Sequence, residues 1–119
     1  MIQVRGVPVW VLFWAMARYA TRRVAGRRPY LVSMIEPADG RHSLTLEERR
    51  KALVVDAMFR RVGVRCLWRA AVVTEMLRRR GVAARIALSV GGSGTTLGHA
   101  ETEVGGESLR PHPGGALLR

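Results

Sequence analysis

Cys66 is the only cysteine in the chain, and His99 lies well downstream of it. A thiol with an imidazole in reach can perform nucleophilic catalysis. The imidazole takes the thiol proton, the thiolate attacks an acyl carbon, and the imidazolium returns its proton to the leaving group. A single cysteine cannot form an internal disulfide, so Cys66 is either such a nucleophile or a small buried hydrophobe.

The elements that must position these two residues are readable in the pattern. Arg65-Cys66-Leu67-Trp68 opens a predicted helix that runs to Arg80. Gly81 closes it in the left-handed position, and Arg78 to Arg80 complement its negative end. A helix N-terminus is partially positive and favours thiolate over thiol, and Arg65 and Arg69 add to this. Helical spacing puts Cys66, Ala70, Val73 and Leu77 on one face, which is predicted to pack on a sheet.

Beyond Gly81 the period changes. Ala84, Ile86, Leu88 and Val90 alternate with Ala83, Arg85, Ala87 and Ser89, as in a strand. Residues 91–96 read as a flexible, flap-like loop and His99 to Val104 as a second strand. Gly105-Gly106 is a two-residue hairpin turn and Glu107 to Arg110 a third strand. That register sets Val104 opposite Glu107 and His99 opposite His112. Upstream, a helix is predicted from about Pro8 to Val24, with Trp10, Phe13, Trp14, Ala17 and Thr21 on its buried face. Gly26 to Pro29 breaks it, Tyr30 to Ile35 is an apolar run of undefined type, and Glu36 to Gly40 is a turn. Thr45 and Glu48 form a capping box that starts a helix from Leu46 to about Arg61, ended by Gly63. The fold class is α+β: N-terminal helices, then a Cys-bearing helix packed on a small antiparallel sheet. The expected organisation is a single domain over 1–119, with a helical part (1–62), the Cys helix and strands (63–110) and a loose tail (111–119).

Composition narrows the function classes. The formal charge is +11, and Lys51 is the only lysine. Such a surface attracts acidic peptides and polyanions. No aromatic residues interleave with the arginines as a base-stacking platform would need, so nucleic acid is disfavoured. No cluster has metal-ligand spacing, and residues 91–94 lack the Lys-Ser/Thr of a phosphate loop, so neither metal nor cofactor is expected. The apolar run from Val7 to Ala17 is too short to span a bilayer. Arg5 ahead of it and Ala15-Met16-Ala17 after it also permit a signal-peptide reading. Its unbroken helical spacing into Arg22 and Arg23 favours a core helix, and the lone thiol favours the cytoplasm.

Three stretches then stand together: Cys66-Leu67-Trp68-Arg69-Ala70-Ala71, Leu77-Arg78-Arg79-Arg80-Gly81-Val82-Ala83-Ala84-Arg85 and Gly98-His99-Ala100-Glu101-Thr102-Glu103-Val104. Their order resembles the transglutaminase-like leader peptidases of lasso peptide biosynthesis, over roughly Ser43 to Leu109. The resemblance implies a transglutaminase/papain-like core and a cysteine protease that cuts the leader from a precursor peptide. It implies Cys66 as nucleophile and His99 as general base. It also implies a separate leader-recognition protein that presents the substrate and an ATP-dependent macrolactam synthetase that closes the ring. Amides near Leu67 would stabilise the oxyanion, and Trp68 would either shape the entrance or serve as packing.

Two departures matter. The family reads His-Ala-Trp where this chain has His99-Ala100-Glu101, and no Asp follows His99. Arg110, Pro111 and His112 stand where the family's Asp is expected. Glu101 is the first acidic candidate to orient the imidazole, although a two-residue step of about 7 Å is long for a direct bond. His112 across the strands and a backbone carbonyl are the alternatives, and Glu107 falls on the opposite face. The rival to catalysis is a non-catalytic basic module that binds an acidic peptide, a partner protein or nucleic acid.

Overall fold

Glu48 and Thr45 bond each other reciprocally: the Glu48 amide donates to Thr45 Oγ1 at 3.1 Å, and the Thr45 amide donates to Glu48 Oε1 at 3.0 Å. The computed structural model, which describes residues 3–4, 6–90 and 98–109, thus contains the expected capping box. Thr45→Ala is expected to cost about 1 kcal/mol, read as a lower urea midpoint at unchanged slope.

The element order is β1 (Gln3–Val4), β2 (Val7–Pro8), α1 (Val9–Val24), α2 (Arg27–Ile35), α3 (Leu46–Arg61), α4 (Cys66–Arg78), β3 (Ala84–Val90), β4 (Gly98–Val104) and β5 (Glu107–Ser108). Helices on an antiparallel sheet ordered β3-β4-β5 make an α+β domain. α4 lies at the centre and touches α1, α2, α3, β3 and β4. Trp68 and every residue from Ala70 to Leu77 are buried, the all-round apolar pattern of a core helix. Its sheet-facing side is tied down by Thr102, whose Oγ1 donates to Ala70 O at 3.1 Å and lies 3.2 Å from Thr74 Oγ1.

The hairpin register is as the glycines predict, with Val104 opposite Glu107 and Glu103 opposite Ser108. Gly105 (φ 61°) and Gly106 (φ 82°) are both left-handed, as this two-residue turn demands. A Cβ on Gly105 would also sit 2.7 Å from His42 O, so only glycine fits there.

Three expectations are corrected, and one element was not expected. The buried face of α1 is Val11, Leu12 and Ala15, whereas Trp10 and Phe13 are 58% and 70% exposed and Ala17 and Thr21 also face solvent. Its first nine residues, Val9 to Ala17, are apolar on every side, so periodicity there cannot choose the inner face. Arg27–Ile35 is a helix rather than a break followed by an undefined run. Gly26 provides a left-handed N-cap (φ 68°), and Pro29 sits in the first turn, where its missing N–H costs nothing. α4 ends at Arg78 rather than Arg80. Arg78 serves a neighbouring helix end instead, donating to Ser33 O (2.9 Å) and Glu36 O (2.6 Å) near the carboxyl end of α2, and to Ala84 O (2.8 Å). The β1–β2 hairpin, which buries Val7 completely, has no counterpart in the sequence reading.

Two carboxylates are buried. Glu48 accepts from both terminal nitrogens of Arg41, at 2.9 and 2.7 Å, and pairs with Arg80 at 3.4 Å. Glu75 accepts from Tyr30 Oη at 2.8 Å and pairs with Arg18 at 2.8 Å and Arg79 at 3.1 Å. Among the described residues, no helix is long and apolar enough to cross a membrane.

Candidate functional site

Cys66 is the first residue of α4, and its N-cap, Arg65, makes no side-chain cap bond. The first helical bond runs from the Arg69 amide to Arg65 O at 3.0 Å. The amides of Cys66, Leu67 and Trp68 therefore have no acceptor within the helix, and the positive end of its dipole lies at the sulfur. This end is braced from outside. Arg69 Nη1 donates to Val64 O at 2.8 Å, and Arg69 Nε donates to Asp56 Oδ1 at 3.1 Å.

A cavity of about 50 Å³ opens beside the half-buried thiol. Cys66, Arg69, Ala70 and Val73 line it from α4, His99 and Glu101 from β4, and Asp56 from α3. It has room for about one or two waters, so a peptide substrate would lie across its mouth rather than inside it. His99 Nε2 is 3.5 Å from Glu101 Oε2, with the two side chains 41% and 30% exposed. The side-chain ends approach more closely than the two-residue backbone step, but the contact is at the outer limit of a hydrogen bond.

The strand alternation qualifies this meeting. Ala100, Thr102 and Val104 form the buried set of β4, and Thr102 bonds α4 directly. His99 and Glu101 belong to the alternate set and are half-buried. Ala100 and Thr102 line the cavity as well, so both sets of β4 residues contribute to its wall.

Of the two substrate-proximal candidates, Leu67 stays at the amino end of α4, partly buried against the core. Trp68 turns the other way. Its ring packs edge-on to Tyr19 at 5.7 Å and stacks on Tyr30 at 6.2 Å, and it is absent from the cavity wall. It is a packing residue between α4, α1 and α2.

Sequence reasoning missed Asp56. Its side chain is only 16% exposed, held by Arg69 at 3.1 Å and by Arg60 at 3.2 Å. The signal was present, since it is the only acid between Glu48 and Glu75 and interrupts the apolar run Val54 to Phe59. An acid in such a stretch needs a reason to be there. The 91–96 loop, Arg110, Pro111 and His112 fall outside the described residues, and so do the readings placed on them. Among the described residues no group of three or more His, Cys, Asp or Glu could hold a metal ion.

A family model described as the transglutaminase-like superfamily matches residues 9–116. No curated protein and no solved structure matches the chain.

Proposed function

For this chain, which belongs to the transglutaminase-like superfamily, we propose a cysteine peptidase that removes the leader from a lasso precursor peptide. A separate leader-recognition protein presents the substrate, the reaction takes place in the cytoplasm, and the freed core passes to a macrolactam synthetase. One observation carries the reading. Cys66, at the amino end of α4, lines one cavity with His99, Glu101 and Asp56.

The chemistry follows from that arrangement. His99 takes the thiol proton, and Cys66 Sγ attacks the scissile carbonyl carbon. Amides at Cys66 and Leu67 stabilise the oxyanion that forms. The C–N bond then breaks, the imidazolium protonates the leaving amine, and water hydrolyses the thioester to restore the thiol. A carboxylate that orients the imidazole through this cycle would come from Glu101 or Asp56, both of which line the cavity.

The test is incubation with the precursor and the recognition protein, with leader release followed by mass spectrometry. Wild-type protein should release the leader, and Cys66→Ala should release none above background. Release that survives in Cys66→Ala overturns the mechanism.

A non-catalytic binding module is the second reading, favoured by the placement of His99 outside the buried set of β4. Alkylation separates the two. A nucleophilic Cys66 should react with iodoacetamide near neutral pH faster than a free thiol does, whereas a packed thiol should react more slowly.

A further inference from the structure

α1 turns an uncharged stripe to solvent. Trp10, Phe13, Ala17, Ala20 and Val24 recur at three- and four-residue steps along one side, and all five are exposed. Phe13 and Val24 are 70% and 89% exposed, and their continuity with Trp10 along one stripe is what marks this face. Trp10 and Trp14 also form the apolar wall of a groove of about 290 Å³, whose other wall is Lys51 of α3 with Arg79 and Arg80 of α4.

The groove is positive as well as apolar. Lys51 is paired with the exposed Glu47 at 3.2 Å, but Glu75 is shared by Arg18 and Arg79, and Glu48 by Arg41 and Arg80, so each of these two carboxylates leaves one arginine charge over. No acid precedes Glu36 anywhere in the chain, so α1 and α2 add only arginines.

We propose that this face docks an acidic amphipathic helix of a partner protein. Its apolar side chains would lie along Trp10 and Phe13, and its carboxylates would meet Lys51, Arg79 and Arg80. A helix laid on the exposed ridge of α1 packs at about 8–10 Å and presents anchors at the matching three- and four-residue steps. Charge complementarity selects this occupant. A second copy joined through the same face would set its own Arg79 and Arg80, with side chains 59% and 49% exposed, against Arg79 and Arg80 of the first. A bilayer offers an anionic surface but nothing to enter a groove walled on two sides. The proposal does not depend on the chemistry of Cys66.

The experiment measures fluorescence anisotropy of a labelled helical peptide, with leucines at the anchor steps and glutamates on the flanks, titrated with the full chain. Saturable micromolar binding is expected. It should weaken on the order of tenfold or more when lysines replace the glutamates, and again in the Trp10→Ser/Phe13→Ser variant. Both substituted side chains are exposed, so the variant should keep the wild-type melting temperature. No binding, or binding indifferent to either change, overturns the proposal. So does a concentration-dependent dimer abolished by Trp10→Ser/Phe13→Ser, or binding to phosphatidylglycerol vesicles without binding to the peptide.

Discussion

Asp56→Asn is expected to slow leader release by about 10²–10⁴-fold, and Glu101→Gln by no more than about tenfold, although Glu101 is the acid nearest His99 in sequence. An orienting carboxylate works by staying still and staying charged beside the imidazolium that forms. Glu101 approaches His99 Nε2 only to 3.5 Å and remains 30% exposed, so it can swing into water at little cost. Asp56 lines the same cavity with its side chain 16% exposed, and two guanidinium groups fix it. Asparagine keeps an acceptor for Arg69, so the bond that steadies the start of α4 survives while the negative charge is lost. The wild-type melting temperature and the wild-type alkylation rate of Cys66 would show that the helix end is intact. A changed pH profile of kcat would then mark Asp56 as acting on the imidazole rather than on the fold. The reverse ranking of the two variants would return the role to Glu101.

The contrast between these acids shows what local pattern can reveal. Period and punctuation located nearly everything that is decided within a few residues: the Thr45–Glu48 box, the start of α4 at Cys66, and the Gly105-Gly106 turn with its register. Each is set by backbone groups that must find partners nearby. What was not legible depends on which surfaces meet. The first nine residues of α1 are apolar on every side, so only its packing on α3 and α4 decides that Val11, Leu12 and Ala15 go in and Trp10 stays out. Asp56 reaches Cys66's cavity from a helix that ends before the cysteine, a meeting that the order of residues along the Cys66 helix and His99 strand does not encode. Arg78 looked like a complement to its own helix dipole, but its bonds go to carbonyls near the end of α2. Side chains as long as arginine choose partners by tertiary proximity, which spacing does not encode.

Glu48→Ala is expected to destabilise the protein by about 3 kcal/mol at neutral pH, the lower end of the cost of breaking a buried ion pair. Glu48 is 4% exposed and joins three segments at once: the loop at Arg41, the first turn of α3 through the Thr45 amide, and Arg80 just past α4. The cost stays at the low end because Arg41 and Arg80, with side chains 40% and 49% exposed, can be rehydrated when the carboxylate is gone. The same network should make stability fall in acid. Hydrogen bonds from Arg41, aided by those from Thr45, hold the Glu48 carboxyl at about 2 against an ordinary 4.5, despite burial, which acts to raise it. A depressed folded value means the unfolded chain binds the proton first. The contribution is therefore fully present above about pH 4.5 and is lost as pH falls towards 2. At about 1.4 kcal/mol per unit it amounts to at most about 3 kcal/mol, less where water screens Arg41. Glu75 acts with the same sign: burial pushes its carboxyl up, but bonds from Tyr30, Arg18 and Arg79 outweigh this and hold it below the usual range. Urea midpoints followed from neutral pH into this window should therefore drop steeply for the wild-type chain. The drop should be shallower in Glu48→Gln, which has already lost the group that titrates. A wild-type curve as flat as the variant's would mean that Glu48 is solvated in the folded protein and that the Arg41 pair contributes little to stability.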